Sequence, residues 1–277
     1  MMLYLTLPLM ALCATVGGIS LDKRSKCPPS KEWDIMKLTQ SWPPAVCIYL
    51  QNEKKKCDIS SNITSWVIHG LWPTQTGTEC PNFCRDDWKF NLTQVQALRP
   101  RLDFNWPSID FDGKPEYSWT HEWEKHGTCG ATLPAIKDEL DYFNVTLGLH
   151  EHFNLSLILQ KSGMNPSAKN AYKAKDFMTA FKKGLGVAPS VTCVKDKEDE
   201  KFYIEQVEIC LNKDFKPIDC QSYQSAPVED LLFKPESWLQ GGRVDEGVLR
   251  DVLIDCGSDS DVVYYKPMPS KQRKVLA

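Results

Sequence analysis

The chain has 277 residues, a formal net charge of −3 and a pI near 6.0, with 42% hydrophobic and 25% charged side chains. That balance suits one substantial soluble core or at most two small domains. It excludes a protein that gathers polyanions by bulk charge, so any nucleic-acid contact must come from a local site. The five histidines add positive charge only below about pH 6.5.

The first twenty residues carry no charged side chain and are rich in Leu, Met, Ala and Thr, with Gly17, Gly18 and Ser20 before the charges of Asp22, Lys23 and Arg24. They predict a secretory signal peptide over 1–20; the run is short for a membrane span and Pro8 interrupts it. The remainder, 21–277, shows no internal repeat or linker and predicts a single α+β domain. Ten cysteines remain beyond Cys13, an even set that implies disulfides in an exported chain. Cys80 and Cys84 have no second nearby pair to complete a zinc site. Sequons at Asn62, Asn91, Asn144 and Asn154 agree with that route and predict glycosylation.

Asp22 to Ser30 is a polar lead-in, and Trp33 to Gln40 is short and mixed. Residues 45–51 are β-rich and predict a strand. Residues 52–61 hold Lys54, Lys55 and Lys56, a solvated surface excursion. A second strand is predicted over 65–71, stopped by Trp72 and Pro73, with a loop from Thr74 to Asp87. Helical spacing at Leu92, Val95, Leu98 and Leu102 predicts a helix that Pro100 disturbs. After a loop over 105–115, a helix is predicted to stop at Gly127 in the C′ position. Further helices are expected over 134–160, broken by Gly148, and over 167–183, with Asp176 as a cap and Gly184 and Gly186 as the stop. Strands follow over 201–211, 252–256 and 262–265. A basic tail from Lys266 is expected to fray.

The run from Trp119 to Cys129 concentrates the chemistry. On an α-helix, His121, Lys125, Glu122 and His126 fall at roughly 0°, 40°, 100° and 140°, with Trp119 and Trp123 on the other side. Acid, base and cation share one face, and tryptophan holds the other to a core. The zinc motif His-Glu-x-x-His sets its ligands four apart. Here the histidines are five apart, roughly 140° around the helix, so no metal is expected.

His69, in Trp-Val-Ile-His-Gly-Leu-Trp-Pro, reads alone as a core histidine. With His121-Glu122-Trp123-Glu124-Lys125-His126-Gly127-Thr128-Cys129 it closely resembles the two active-site segments of the ribonuclease T2 family, over about 33–265. The resemblance implies a central, mostly antiparallel sheet packed with several helices and stapled by disulfides. It implies an endonuclease acting on single-stranded RNA in acid, without metal or cofactor, as a monomer of the secretory pathway, secreted or lysosomal.

Breaking RNA through its own 2′-OH requires a base, an acid and charge stabilisation, and two imidazoles supply the proton transfers. By resemblance His126 is the general base and His69 the general acid. His121 and Lys125 hold the phosphate, and Glu122 and Lys125 stabilise the transition state. Trp72 and Thr74 occupy base-binding positions. Thr74 departs from the family's usual Asp, and Ser118 from its usual aromatic residue, where Tyr117 or Trp119 are the substitutes at hand. The resemblance also implies the pairs Cys47–Cys57, Cys84–Cys129, Cys193–Cys256 and Cys210–Cys220, with Cys27–Cys80 remaining. The competing class is a secreted signalling glycoprotein for which catalysis is dispensable.

Overall fold

The computed structural model describes residue 27 and residues 31–109, 113–220, 253–255 and 262–269. The expected signal peptide lies outside these residues.

Strand β1 (Ile35–Ser41) is followed by helix α1 (Pro43–Asn52). This corrects two expectations. The mixed segment is a fully buried strand, and the β-rich segment is a helix. Pro43 and Pro44 sit at the first two helical positions, where proline presets the backbone and no N–H is needed. Ala45, Ile48 and Tyr49 then fall on one buried face, so the helical period overrides local β propensity.

Strand β2 (Val67–Thr74) runs through the expected stop, with Pro73 opposite Met36. It tolerates proline because it is the terminal strand of the sheet path. Helix α2 (Leu92–Val95), a short 3₁₀ turn and helix α3 (Arg99–Asn105) replace the one interrupted helix. Pro100 begins α3 rather than ending anything. Helix α4 (Pro115–Glu122), a π turn (Trp123–Gly127) and α5 (Thr128–Gly130) form one continuous helical run. Gly127 is right-handed and helical, not a C′ stop.

Helix α6 (Glu139–His152) starts at the Asp138 cap and passes straight through Gly148, and α7 (Leu155–Lys161) follows from the Asn154 cap. Strand β3 (Ala171–Lys173) leads into α8 (Ala174–Leu185), where Asp176 accepts from the Lys173 N–H and Gly186 closes the end at φ +78°. The remaining strands are β4 (Ser190–Lys195), β5 (Phe202–Leu211), β6 (Leu253–Asp255) and β7 (Val262–Tyr264).

The main sheet runs β2-β1-β5-β4-β6 with every neighbour antiparallel. β7 joins β5 in parallel and β3 antiparallel, giving the α+β architecture expected. One sheet face is apolar: Met36, Leu38, Val207 and Ile209 join the helical core around Tyr142, Phe143 and Phe181. The other carries Lys37, Thr39, Ser41, Gln206 and Glu208, all buried, with Lys37 paired to Glu208 at 3.1 Å. Disulfides Cys27–Cys80, Cys47–Cys57, Cys84–Cys129 and Cys210–Cys220 match the expected pairs. The fifth expected pair needs Cys256, outside the described residues. The start of the basic tail is held rather than frayed, because the Trp42 indole donates to the Lys266 carbonyl at 2.7 Å. Among the described residues no helix is long and apolar enough to cross a membrane.

Candidate active site

The site begins with a register shift. Cross-strand rows run Trp72–Lys37–Cys210, Gly70–Thr39–Glu208 and Val67–Ser41–Gln206. From Gly70 to Val67 is three steps, while Thr39 to Ser41 is two. β2 therefore carries one extra residue at His69, where the β1–β2 register shifts. Strict alternation would send His69 into the apolar face. The bulge turns it onto the polar face beside Trp72 instead. Its Nδ1 lies 2.8 Å from Oε1 of Gln206, and its ring meets Trp72 edge-on at 5.0 Å between centroids.

The second half of the site comes from α4 and the π turn. Trp119 and Trp123 are fully buried, and their indoles donate to the carbonyls of Trp106 at 2.9 Å and Trp88 at 3.1 Å. They anchor the helix as the sequence predicts. The angular arrangement differs from that of a plain α-helix. The Thr128 N–H donates to the Trp123 carbonyl five residues back, which widens the turn. Residues five apart then return toward one side, and the His121 and His126 rings come within 6.4 Å. The Cys84–Cys129 bridge and a 2.8 Å bond from the Phe83 N–H to the Lys125 carbonyl tie this turn to the loop after β2.

Trp72 joins the halves. Its indole N–H donates to Oε2 of Glu122 at 2.8 Å, and its ring lies 5.3 Å from His126 at 31°. Glu122 and His126 are each 3% exposed, whereas His69, His121 and Lys125 are half-buried. Among the described residues neither ring nitrogen of His126 has a hydrogen-bond partner, so Glu122 bonds the Trp72 indole and not the imidazole four residues on.

Burial sets the electrostatics. Desolvation pushes His121 down to about 3, helped by the Lys125 charge and by His69. It pushes His126 well below its ordinary value, again with Lys125 as the next cause. His69 falls to about 4, burial and Lys125 acting against the Gln206 bond. Glu122 rises to about 8 by burial, against the Trp72 bond and Lys125. The result is neutral imidazoles and a neutral carboxyl around one ammonium, an arrangement suited to an anion.

The ligating atoms of His121, Glu122 and His126 lie within 4.8 Å of one another. The expectation that the two histidines diverge too far to share an ion is thus corrected, and the π turn is the reason. Charge still argues against a cation: Lys125 lowers both imidazoles by its field, and Glu122 holds its proton.

The base positions read differently. Trp72 is 4% exposed and lodged among His69, Glu122 and His126. The buried Thr74 hydroxyl donates to the Trp72 carbonyl at 3.1 Å. Neither presents a free surface in this arrangement. Of the substitutes for Ser118, Trp119 is buried in the core and Tyr117 is exposed on α4. Sequence reasoning missed Gln206; alternation over 202–211 places it opposite Val207 and Ile209, but nothing local shows that His69 will meet it. The four sequon asparagines are all exposed. In Asn91 and Asn154 the side-chain oxygen caps a helix.

Three comparisons bear on this site. Residues 33–220 match the model of the ribonuclease T2 family. The chain is 38% identical to Ribonuclease Oy of Magallana gigas over 211 residues, 74% of this chain and 97% of the relative. It is 34% identical to human Ribonuclease T2 over 267 residues, covering 95% and 94%. Among solved structures, human RNase T2 superposes with a TM-score of 0.63 at 29% identity, over 85% of this chain and 99% of that one. A mutant of RNase MC1 in complex with 5′-UMP superposes with a TM-score of 0.60 at 26% identity, over 69% and 94%. By sequence, fold and site together, the chain belongs to the ribonuclease T2 family, enzymes that cut RNA internally without a metal ion.

Proposed function

We propose that the protein cleaves single-stranded RNA by using the substrate's own 2′-hydroxyl as nucleophile, in acid, within the secretory pathway. The observation that carries this is the packing of His69 and His126 against one ring, that of Trp72, with Lys125 close enough to bias both. An in-line displacement at phosphorus needs a base and an acid at opposite ends. His126 takes the 2′-OH proton as the 2′-O–P bond forms, and His69 gives its proton to the departing 5′-oxygen as P–O5′ breaks. The product is a 2′,3′-cyclic phosphate. In the second step water attacks that phosphorus, His69 takes the water proton, and His126 returns its proton to the 2′-oxygen. A 3′-phosphate remains, and both imidazoles are reset.

His121 and Lys125 hold the phosphate, and Lys125 opposes the charge that grows on the phosphorane. Glu122, kept neutral by burial, can donate a hydrogen bond to the same oxygens. The depressed histidines support an acidic working range. His126 stays neutral, as a base must, where an ordinary imidazole would be charged. His69 takes up its proton only in acid, so the rate falls as pH rises through its value. Four bridges and exposed sequons support passage through an oxidising compartment.

The test is digestion of homopolymer RNA with identification of the ends. Wild type should yield cyclic and then 3′-phosphate termini in excess EDTA and leave fully 2′-O-methylated RNA uncut. His69→Phe and His126→Phe should each lose about 10²–10⁴-fold. Cleavage of the methylated RNA, loss of activity on chelation, or near-normal turnover in either variant would defeat the mechanism.

A further inference from the structure

We infer that Gln206 is the positioning residue for His69, holding one imidazole tautomer and stabilising its protonated form. This rests on the reading of His69 as general acid. Gln206 lies on β5, which is paired on one side to β1 and on the other to β4, so its backbone is fixed by ladders at both edges. It is 4% exposed and reaches across β1 to Nδ1 of His69 at 2.8 Å. The β1 residue between them in the row is Ser41, opposite Val67 on β2. A side chain that small leaves the path open. The bulge at His69 supplies the other half of the meeting, since an unbulged strand would face the ring away.

An amide oxygen at Nδ1 accepts the N–H there, which leaves Nε2 to carry the proton that is donated to the leaving oxygen. An acceptor on Nδ1 also favours the imidazolium over the neutral ring. The charged and titratable groups around His69 act the other way or balance out. Lys125 disfavours its protonation, His121 and His126 stay neutral over the range in which His69 takes up its proton, and Glu122 is neutral behind Trp72. On the same sheet face Lys37 and Glu208 neutralise each other. Gln206 thus supplies a contact that keeps the acid chargeable while RNA is absent.

The experiment is a pH profile of kcat/KM for wild type, Gln206→Leu and Gln206→Glu, paired with NMR titration of the His69 imidazole in each. Both replacements are near-isosteric, and Gln206→Glu keeps an acceptor. Gln206→Leu should move the alkaline limb about one pH unit lower and cut kcat/KM on that limb about tenfold. Gln206→Glu should move the limb about one unit higher, because a carboxylate favours the imidazolium more strongly. A merely structural role would lower activity in both variants and leave the limb in place. An unchanged His69 titration in both variants overturns the inference. If the titration moves while the limb stays, Gln206 positions His69 but His69 is not the acid, and it is the proposed mechanism that fails.

Discussion

Trp72 and Glu122 are joined by a 2.8 Å hydrogen bond from indole to carboxyl, and the same indole packs against both proposed proton-transfer residues. One side chain on the terminal strand of the sheet path therefore touches His69, Glu122 and His126 together. A tryptophan here does more than fill space, because its single donor fixes one carboxyl oxygen of Glu122.

Replacing Trp72 by Phe keeps an aromatic ring beside both imidazoles and removes the donor together with the pyrrole part of the indole. Loss of a bond to a buried carboxyl costs about 1–3 kcal/mol, so kcat should fall about tenfold to a hundredfold with KM changed much less. Steady-state kinetics on a dinucleotide substrate would read this. A kcat equal to wild type at every pH would mean that Glu122 needs no such hold.

Gly70 stands where any Cβ would strike the Trp72 indole nitrogen and the Glu122 carboxyl oxygen. Gly70→Ala should cost about 1–3 kcal/mol of stability through overpacking. Activity should also fall, about a hundredfold, because both displaced groups belong to the site. Gly148→Ala is the control: its Cβ would meet nothing within 4 Å, and alanine inside α6 should stabilise by about 0.5–1 kcal/mol. Paired melting curves and initial rates test this, and equal activity in the two variants would refute it.

Stability should fall on both sides of a maximum near neutrality. His69, His121, His126 and His150 are depressed by burial, so the unfolded chain binds their protons first and stability erodes as pH falls below about 6.5. Glu122 and Glu205 are each raised to about 8 by burial, so their contribution is whole below about 4.5 and erodes as pH rises toward 8. Four half-protonated histidines balance two ionised carboxyls near about pH 6.5. An anion that pairs with imidazolium reverses the acid-side loss. Inorganic phosphate should therefore raise Tm more at pH 5 than at pH 7.5 in differential scanning fluorimetry. An equal or larger rise at pH 7.5 would contradict this.

The amino-acid sequence by itself singled out the residues that the structure brings together, His69, His121, Glu122, Lys125 and His126, and the two tryptophans that seat the helix. Its even set of cysteines implied disulfides, the family resemblance implied the four pairs observed, and its prolines and glycines marked several boundaries, though Pro73 and Gly127 proved to lie inside elements. The tertiary structure decided how those groups face one another. Whether 45–51 became strand or helix depended on prolines at its start and on burial at helical period, not on the β-branched residues within it. His69 reaches the polar face only because β2 carries one residue more than β1 across the same span, a fact of pairing between segments some thirty residues apart. His121 and His126 converge because the run at 123–127 closes its turn five residues back, where regular periodicity assumes four. Gln206 meets His69 from 137 positions away. Local patterns carry the period of one element, whereas register, bulges and cross-strand partners are settled only when the strands pair.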